Sequence, residues 1–258
     1  MLNHPIIDLG SWLEQPAGSY IRAWEQDLLD QLTVDIFGFH ALQIGLPQVN
    51  ALAANRMPHK WLTDEFVPGK FNSGKAAPVV VVHDFAELPF DSQSIDLVVL
   101  PHVLEFAAEP HQVLREVERI LIPEGRVIIS GFNRASLWGA RQQIGRMTGR
   151  YFLPKEGEFI SAARMKDWLK LLNMEVNQAH FGCYAPPFGT EQWLERFSFA
   201  EKIGTRWWPY LGAVYMVQAI KRVKGMHLVG PALKRKRLPA GHAVSVANKM
   251  KNQEEHNG

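Results

Sequence analysis

Cysteine is almost missing from this chain. Cys183 stands alone in 258 residues, so no internal disulfide can form and a cysteine-built structural zinc site is excluded. A lone thiol favours a reducing compartment, and the protein is expected to be cytoplasmic. No long apolar run is present either. The longest uncharged stretch near the C-terminus, Trp207 to Ile220, is too short to span a bilayer, so no transmembrane segment is expected. The first residues, MLNHPIIDLGSW, lack a basic start and an apolar core and carry Asp8 early, which reads against a signal peptide. Several catalytic signatures are absent as well. There is no G-x-S-x-G, no H-E-x-x-H and no P-loop, and GLPQVN from Gly45 does not satisfy G-x-G-x-x-G. Hydrolase, zinc-protease, nucleotide triphosphatase and nicotinamide-dehydrogenase readings fall with them, and no metal site is expected.

What is present is ordinary in amount and uneven in placement. Hydrophobic residues at 47% and charged residues at 21% suit a soluble globular chain large enough to bury its own core. From Lys221 onward there are nine Lys/Arg against two Glu, a charge of +7, whereas the whole chain carries +2, so residues 1–220 carry −5. The basic end, with Lys234-Arg235-Lys236-Arg237, reads as a solvated, disordered tail over residues 223–258. The alternative is an electrostatic arm for nucleic acid or an anionic membrane.

Periodicity gives the elements. Ile21, Trp24, Leu28 and Leu32 recur at helical spacing, giving a helix over Tyr20–Leu32 at the end of an N-terminal extension, residues 1–33. His40–Leu46, Trp61–Thr63, Pro78–His83, Ser94–Leu100 and Arg126–Ser130 read as strands. The last three are β-branched runs without polar alternation, as in strands covered on both faces. Helices are expected over Val49–Met57, Pro110–Leu121, Ser136–Met147 and Met165–Leu172, the last capped by Ser161. Pro123-Glu124-Gly125 reads as a turn and Val67–Pro78 as a loop. Glu175–Phe181 and Gly212–Lys221 read as two late strands separated by an aromatic insert, residues 184–210. Strand, helix and strand in succession argue for right-handed βαβ units. The fold class is therefore α/β, a Rossmann-like, mostly parallel sheet with helices on both faces and a C-terminal antiparallel hairpin, over residues 34–222.

The stretch from Asp84 to Asn133 carries more than a fold. It shows an acid after the third strand, then Leu88-Pro89-Phe90, Asp96 opening the fourth strand, and the step His102-Val103-Leu104-Glu105. Leu114-Arg115-Glu116 and Pro123-Glu124-Gly125 follow. In this order the residues resemble the type 11 branch of class I S-adenosylmethionine-dependent methyltransferases, whose substrates are mostly small molecules. The resemblance implies S-adenosyl-L-methionine as cofactor and a small-molecule methyl acceptor. It implies cofactor contacts from Gln43, Gly45, Leu46 and Pro47 after strand one and from Asp64 after strand two. Asp84 would accept the adenine amino group, with the amides of Phe85 and Ala86 facing the ring, and Pro101 and His102 would close the crevice. His102 and Glu105 are the candidate catalytic residues. Asp96 is expected to cap a strand start, away from any ligand.

The same resemblance shows where the chain departs. The family's acid-x-Gly-x-Gly-x-Gly loop is here Gln43-Ile44-Gly45-Leu46-Pro47-Gln48-Val49. One glycine of three survives, Gln43 replaces the acid, and Pro47 removes a backbone donor. A degenerate methyltransferase fold serving as a non-catalytic binding or regulatory protein is the alternative reading.

Overall fold

The computed structural model describes residues 5–64, 81–82, 85–149, 151–154, 157–187, 196–197 and 199–222. The loop over 67–78, Asp84, Phe188, Trp193 and the basic tail from residue 223 lie outside the described residues. Seven strands form one sheet: β1 (His40–Ile44), β2 (His59–Asp64), β3 (Val81–Val82), β4 (Ile95–Pro101), β5 (Leu121–Phe132), β6 (Met174–Gly182) and β7 (Val214–Lys221). Their spatial order is β3-β2-β1-β4-β5-β7-β6. Pairing is parallel from β3 through β5, and β7 runs antiparallel to both β5 and β6. This is the expected fold class, with the late strands forming the antiparallel end.

Alternate residues of the central strands feed two cores. Leu42, Ile44, Val98, Leu100, Val127 and Ile129 face α4 (Pro110–Ile120) and α6 (Ala162–Leu171). Ala41, Leu97, Val99 and Ile128 face α1 (Pro5–Trp12), α2 (Pro16–Thr33) and α5 (Leu137–Thr148). Both faces are covered, which is why those strands read as continuous apolar runs. Helix α4 begins at Pro110 and buries Val113, Leu114, Val117 and Ile120. Four buried aliphatic side chains at roughly 1.5–3 kcal/mol each make that stripe its main hold on the sheet.

The resemblance motif now has physical content. Arg119 on α4 donates to the carbonyls of Leu88 and Phe90 at 2.9 and 2.8 Å and pairs with Glu116 at 2.9 Å. The Leu-Pro-Phe loop is thus clamped to the helix. Asp96 accepts from the amides of Phe39 and His40 at 3.0 and 2.9 Å, so it caps the start of neighbouring β1 at the edge opposite the strand ends.

Two expectations need correction. Val49–Met57 is a run of turns rather than a helix, because side chains take its backbone groups. Gln43 Oε1 accepts from the amide of Ala51, while Asn55 Nδ2 donates to the carbonyls of Thr33 and Ile36 and its Oδ1 accepts from the amide of Met57. Pro123-Glu124-Gly125 is not a turn between elements. It lies inside β5, where the β4–β5 register shifts and Glu124 takes φ 63°. Lys221 and Arg222, whose charges are part of the basic excess counted from Lys221, belong to the body, as the domain bounds imply. Buried Lys221 donates to the carbonyls of Glu118 and Leu121 at the end of α4, and Arg222 pairs with Glu124 and Glu175.

Candidate functional site

The strand order reverses between β1 and β4, so the carboxyl ends of these strands flank the crevice where open α/β sheets bind ligands. From β4 the chain enters α3 (Val103–Phe106) through His102, whose φ of 54° turns it sharply. His102 is fully buried and lies against the Phe132 ring with centroids 4.3 Å apart. Its Nδ1 is 2.7 Å from Glu105 Oε2, and Glu105 Oε1 accepts from the amide of Phe132 at 2.6 Å. On the other side, Nε2 stands 3.0 Å from Oε1 of Glu25. That contact is close but oblique, a charge contact rather than a directed hydrogen bond.

Burial alone would keep the imidazole neutral, but Glu25 and Glu105 outweigh it and push the His102 pKa up to about 10. Burial raises Glu105 in turn, and its bonds to His102 and Phe132 offset this only in part. The ring is therefore a fixed cation near neutral pH, joining α2, β4 and β5. The two residues expected to do catalysis are brought together, inside the core.

Glu25 escaped the sequence reading. The deeply buried row of α2 is Ala17, Ile21, Glu25, Leu29 and Thr33, at a spacing of four, whereas Trp24, Leu28 and Leu32 are half-buried beside it. The signal was available. A glutamate four residues from Ile21 and from Leu29 sits on an apolar row and needs a buried partner.

After β1 the chain makes a left-handed turn at Gly45, φ 67°, and Leu46, φ 50°. The Gln43 amide nitrogen faces the carbonyls of Gly45, Leu46 and Val49 at 3.1, 3.1 and 2.8 Å. Gln43 therefore holds the turn from within. Gly45, Leu46 and Pro47 are all buried, and Gly10 of α1 lies so close to Gln48 that a Cβ there would collide with its side chain. Asp64 ends β2 and is 7% exposed, and Phe85 is buried beyond β3. Pro101 ends β4, buried. Gln43, Gly45, Leu46, Pro47, Asp64, Pro101 and His102 thus come to one edge of the sheet, with Phe85 and Ala86 just after β3.

Polar atoms at this edge fit a ligand that brings its own hydrogen-bond donors. Gln48 Oε1 in the turn and Thr63 Oγ1 beside Asp64 are buried and have no hydrogen-bond partner among the described residues. An adenosyl group with ribose hydroxyls and a methionine ammonium is of that kind.

The aromatic insert lies further along the same edge. Tyr184, Phe197, Ile203, Trp208 and Leu211 line an apolar groove of about 420 Å³ beside α7 (Phe199–Trp207). Asn133, directly after β5, donates to the carbonyls of Tyr210 and Gly212 at 2.8 and 2.9 Å and fixes the approach to β7.

Sheet order, the turn after β1 and the acid at the end of β2 are those of an α/β fold of the methyltransferase type. A family profile described as "Methyltransferase domain" matches residues 63–129. By that profile the chain contains a methyltransferase domain, and it shares the class I methyltransferase fold of the solved structures below. Over 214 residues it is 31% identical to Uncharacterized protein YafS of Escherichia coli (strain K12), covering 82% of this chain and 80% of that one. Among solved structures it is similar to the methyltransferase bound to the Trm112 activator in a Haloferax volcanii complex. The TM-score is 0.59 at 16% identity, over 85% of this chain and 98% of that one. It is also similar to a SAM-dependent methyltransferase of Archaeoglobus fulgidus, TM-score 0.56 at 17% identity, over 78% and 94% of the two chains. Among the described residues no helix is long and apolar enough to cross a membrane.

Proposed function

We propose that the protein binds S-adenosyl-L-methionine at the carboxyl ends of β1, β2 and β4 and transfers its methyl group to a small-molecule acceptor. The observation that carries this reading is the switch-point geometry, in which the left-handed Gly45–Leu46 turn and Asp64 share one edge with the Pro101–His102 step. The cofactor supplies a methyl group on a positively charged sulfur, a leaving group good enough that the protein mainly positions the acceptor. In this reading Asp64 accepts from the ribose hydroxyls, and Gly45 lets the backbone come close without a Cβ. The residue pair His102 and Glu105 does not meet the acceptor. It holds α3 and the end of β5 in register.

One observation favours a second reading, a non-catalytic binding protein on the same fold. Gln43 is consumed inside the turn, and Leu46 and Pro47 are buried. Cofactor binding must therefore move side chains that now fill the turn. Calorimetric titration with adenosylmethionine and adenosylhomocysteine decides between them. Saturable binding of both is the expected result. No heat of binding at millimolar ligand refutes the methyltransferase reading and leaves the second.

A further inference from the structure

A cavity of about 180 Å³ opens along α5 and beside the first turn of α6, lined by Arg134, Gln143, Arg146, Glu158, Phe159 and Arg164. The three arginines come from three separate segments: the loop after β5, the last turn of α5 and the first turn of α6. None has a carboxylate ion-pair partner among the described residues, and one glutamate, Glu158, faces three guanidinium groups. Like charges gathered in one hollow repel one another. Two are nevertheless anchored there by contacts that leave most of their N–H groups open. Arg146 donates to the carbonyl of Gly157 at 2.5 Å, and the Arg164 guanidinium stands 5.2 Å from the Trp168 ring centroid.

The cavity also abuts the site. The Glu158 amide donates to the carbonyl of Glu105 at 2.8 Å, and a Cβ on Gly157 would come within 2.9 Å of the Phe106 ring. Its wall is therefore seated on α3, the segment that leaves β4. Phe159 packs on Phe132 with centroids 5.4 Å apart, and Phe132 packs on His102. Behind it, buried Gln142 is satisfied by the backbone of Leu153 and Pro154 and offers the cavity no competing acceptor.

We infer that this hollow binds the phosphate or carboxylate group of a small anionic molecule through Arg134, Arg146 and Arg164. Under the methyltransferase reading, on which this clause alone rests, that molecule is the methyl acceptor. Guanidinium forks match the paired oxygens of both groups, and the volume suits one end of a ligand rather than a whole drug-sized molecule.

The test titrates inorganic phosphate, followed by phosphorus NMR, and succinate, followed by calorimetry, at constant ionic strength set with chloride. Adenosylhomocysteine is titrated in parallel. Wild type is expected to bind one probe saturably at one equivalent per chain. Arg134→Gln and Arg164→Gln should each weaken it about threefold to tenfold, as for a charge-assisted hydrogen bond at a partly exposed site. Arg146→Lys keeps the charge but loses the fork and should weaken binding less than the glutamine variants do, and circular dichroism checks that each variant is folded. Saturable binding in wild type that the arginine variants leave unchanged overturns the proposal, as does the absence of saturation by either probe. Anion binding without adenosylhomocysteine binding would refute the methyltransferase reading while leaving the arginine site standing. Adenosylhomocysteine binding without anion binding does the reverse.

Discussion

His102→Gln removes the one cation from a cluster that holds two buried carboxylates, and its consequences can be worked from the geometry. Glu25 is fully buried and Glu105 is 3% exposed, so neither regains water when the ring is lost. Removing one partner of a buried ion pair costs about 3–5 kcal/mol, because the charge left behind stays unsolvated. For a domain of this size that corresponds to roughly 6–20 °C in Tm. The pH dependence is the sharper signature. The folded ring keeps its proton to about pH 10, whereas an unfolded histidine loses it near the ordinary value of 6.5. The stabilisation is therefore complete below about pH 6.5 and is lost as pH rises toward 10, with a slope of up to about 1.4 kcal/mol per pH unit. Glu105, raised by burial, acts in the same sense above its ordinary value. In the variant the carboxylates can regain neutrality only by binding protons, so its deficit shrinks in acid. Urea unfolding followed by tryptophan fluorescence from pH 5 to pH 10 should show a deficit that peaks near neutrality and narrows toward both ends. A loss under about 1 kcal/mol at pH 7, or a deficit independent of pH, would refute the assignment of His102 as a buried cation.

Gln43→Glu keeps the shape but replaces a donor that faces three carbonyls with a carboxylate. A stability loss of about 3 kcal/mol or more is expected by chemical denaturation, without gain in adenosylmethionine affinity. Restoration of cofactor affinity by that change would show that the turn reorganises. Asp64→Ala should weaken adenosylhomocysteine binding about tenfold in calorimetry while leaving Tm within a few degrees, and an unchanged affinity counts against the proposed ribose contact. Asp96→Ala deletes the acceptor of the Phe39 and His40 amides and should cost about 1–3 kcal/mol with cofactor binding untouched. A change in affinity there would mean that the two edges of the sheet are coupled.

The sheet was legible because its strands are covered on both faces. Val98, Leu100, Val127 and Ile129 read as continuous apolar runs, and the stripe of α4 is unbroken from Val113 to Ile120. The Val49–Met57 segment was misread because its apolar spacing is genuine while its backbone partners are side chains from elsewhere. Gln43, eight residues before Ala51, and Asn55, bonded back to Thr33 and Ile36, are contacts that periodicity does not encode. The site was legible in part. The strand ends that flank the switch-point crevice followed from element order, but the fate of His102 depended on Glu25, 77 residues earlier, and no local pattern links the two.

That separation bears on what the resemblance means. In the Asp84–Asn133 stretch, the residues whose partners are visible hold the scaffold. Arg119 and Glu116 clamp the Leu-Pro-Phe loop, Asp96 caps β1, Glu105 ties His102 to β5, and Asn133 fixes the loop before β7. Such residues keep a methyltransferase fold whether or not methyl transfer persists, since their loss would be felt in stability first. In the proposed reading, cofactor affinity instead depends on the acid of β2 and on the short turn at Gly45–Pro47, the turn where this sequence departs from the family pattern. The cofactor titration therefore tests the turn. The denaturation experiments on His102 and Asp96 test the scaffold, and the two sets of results can disagree without contradiction.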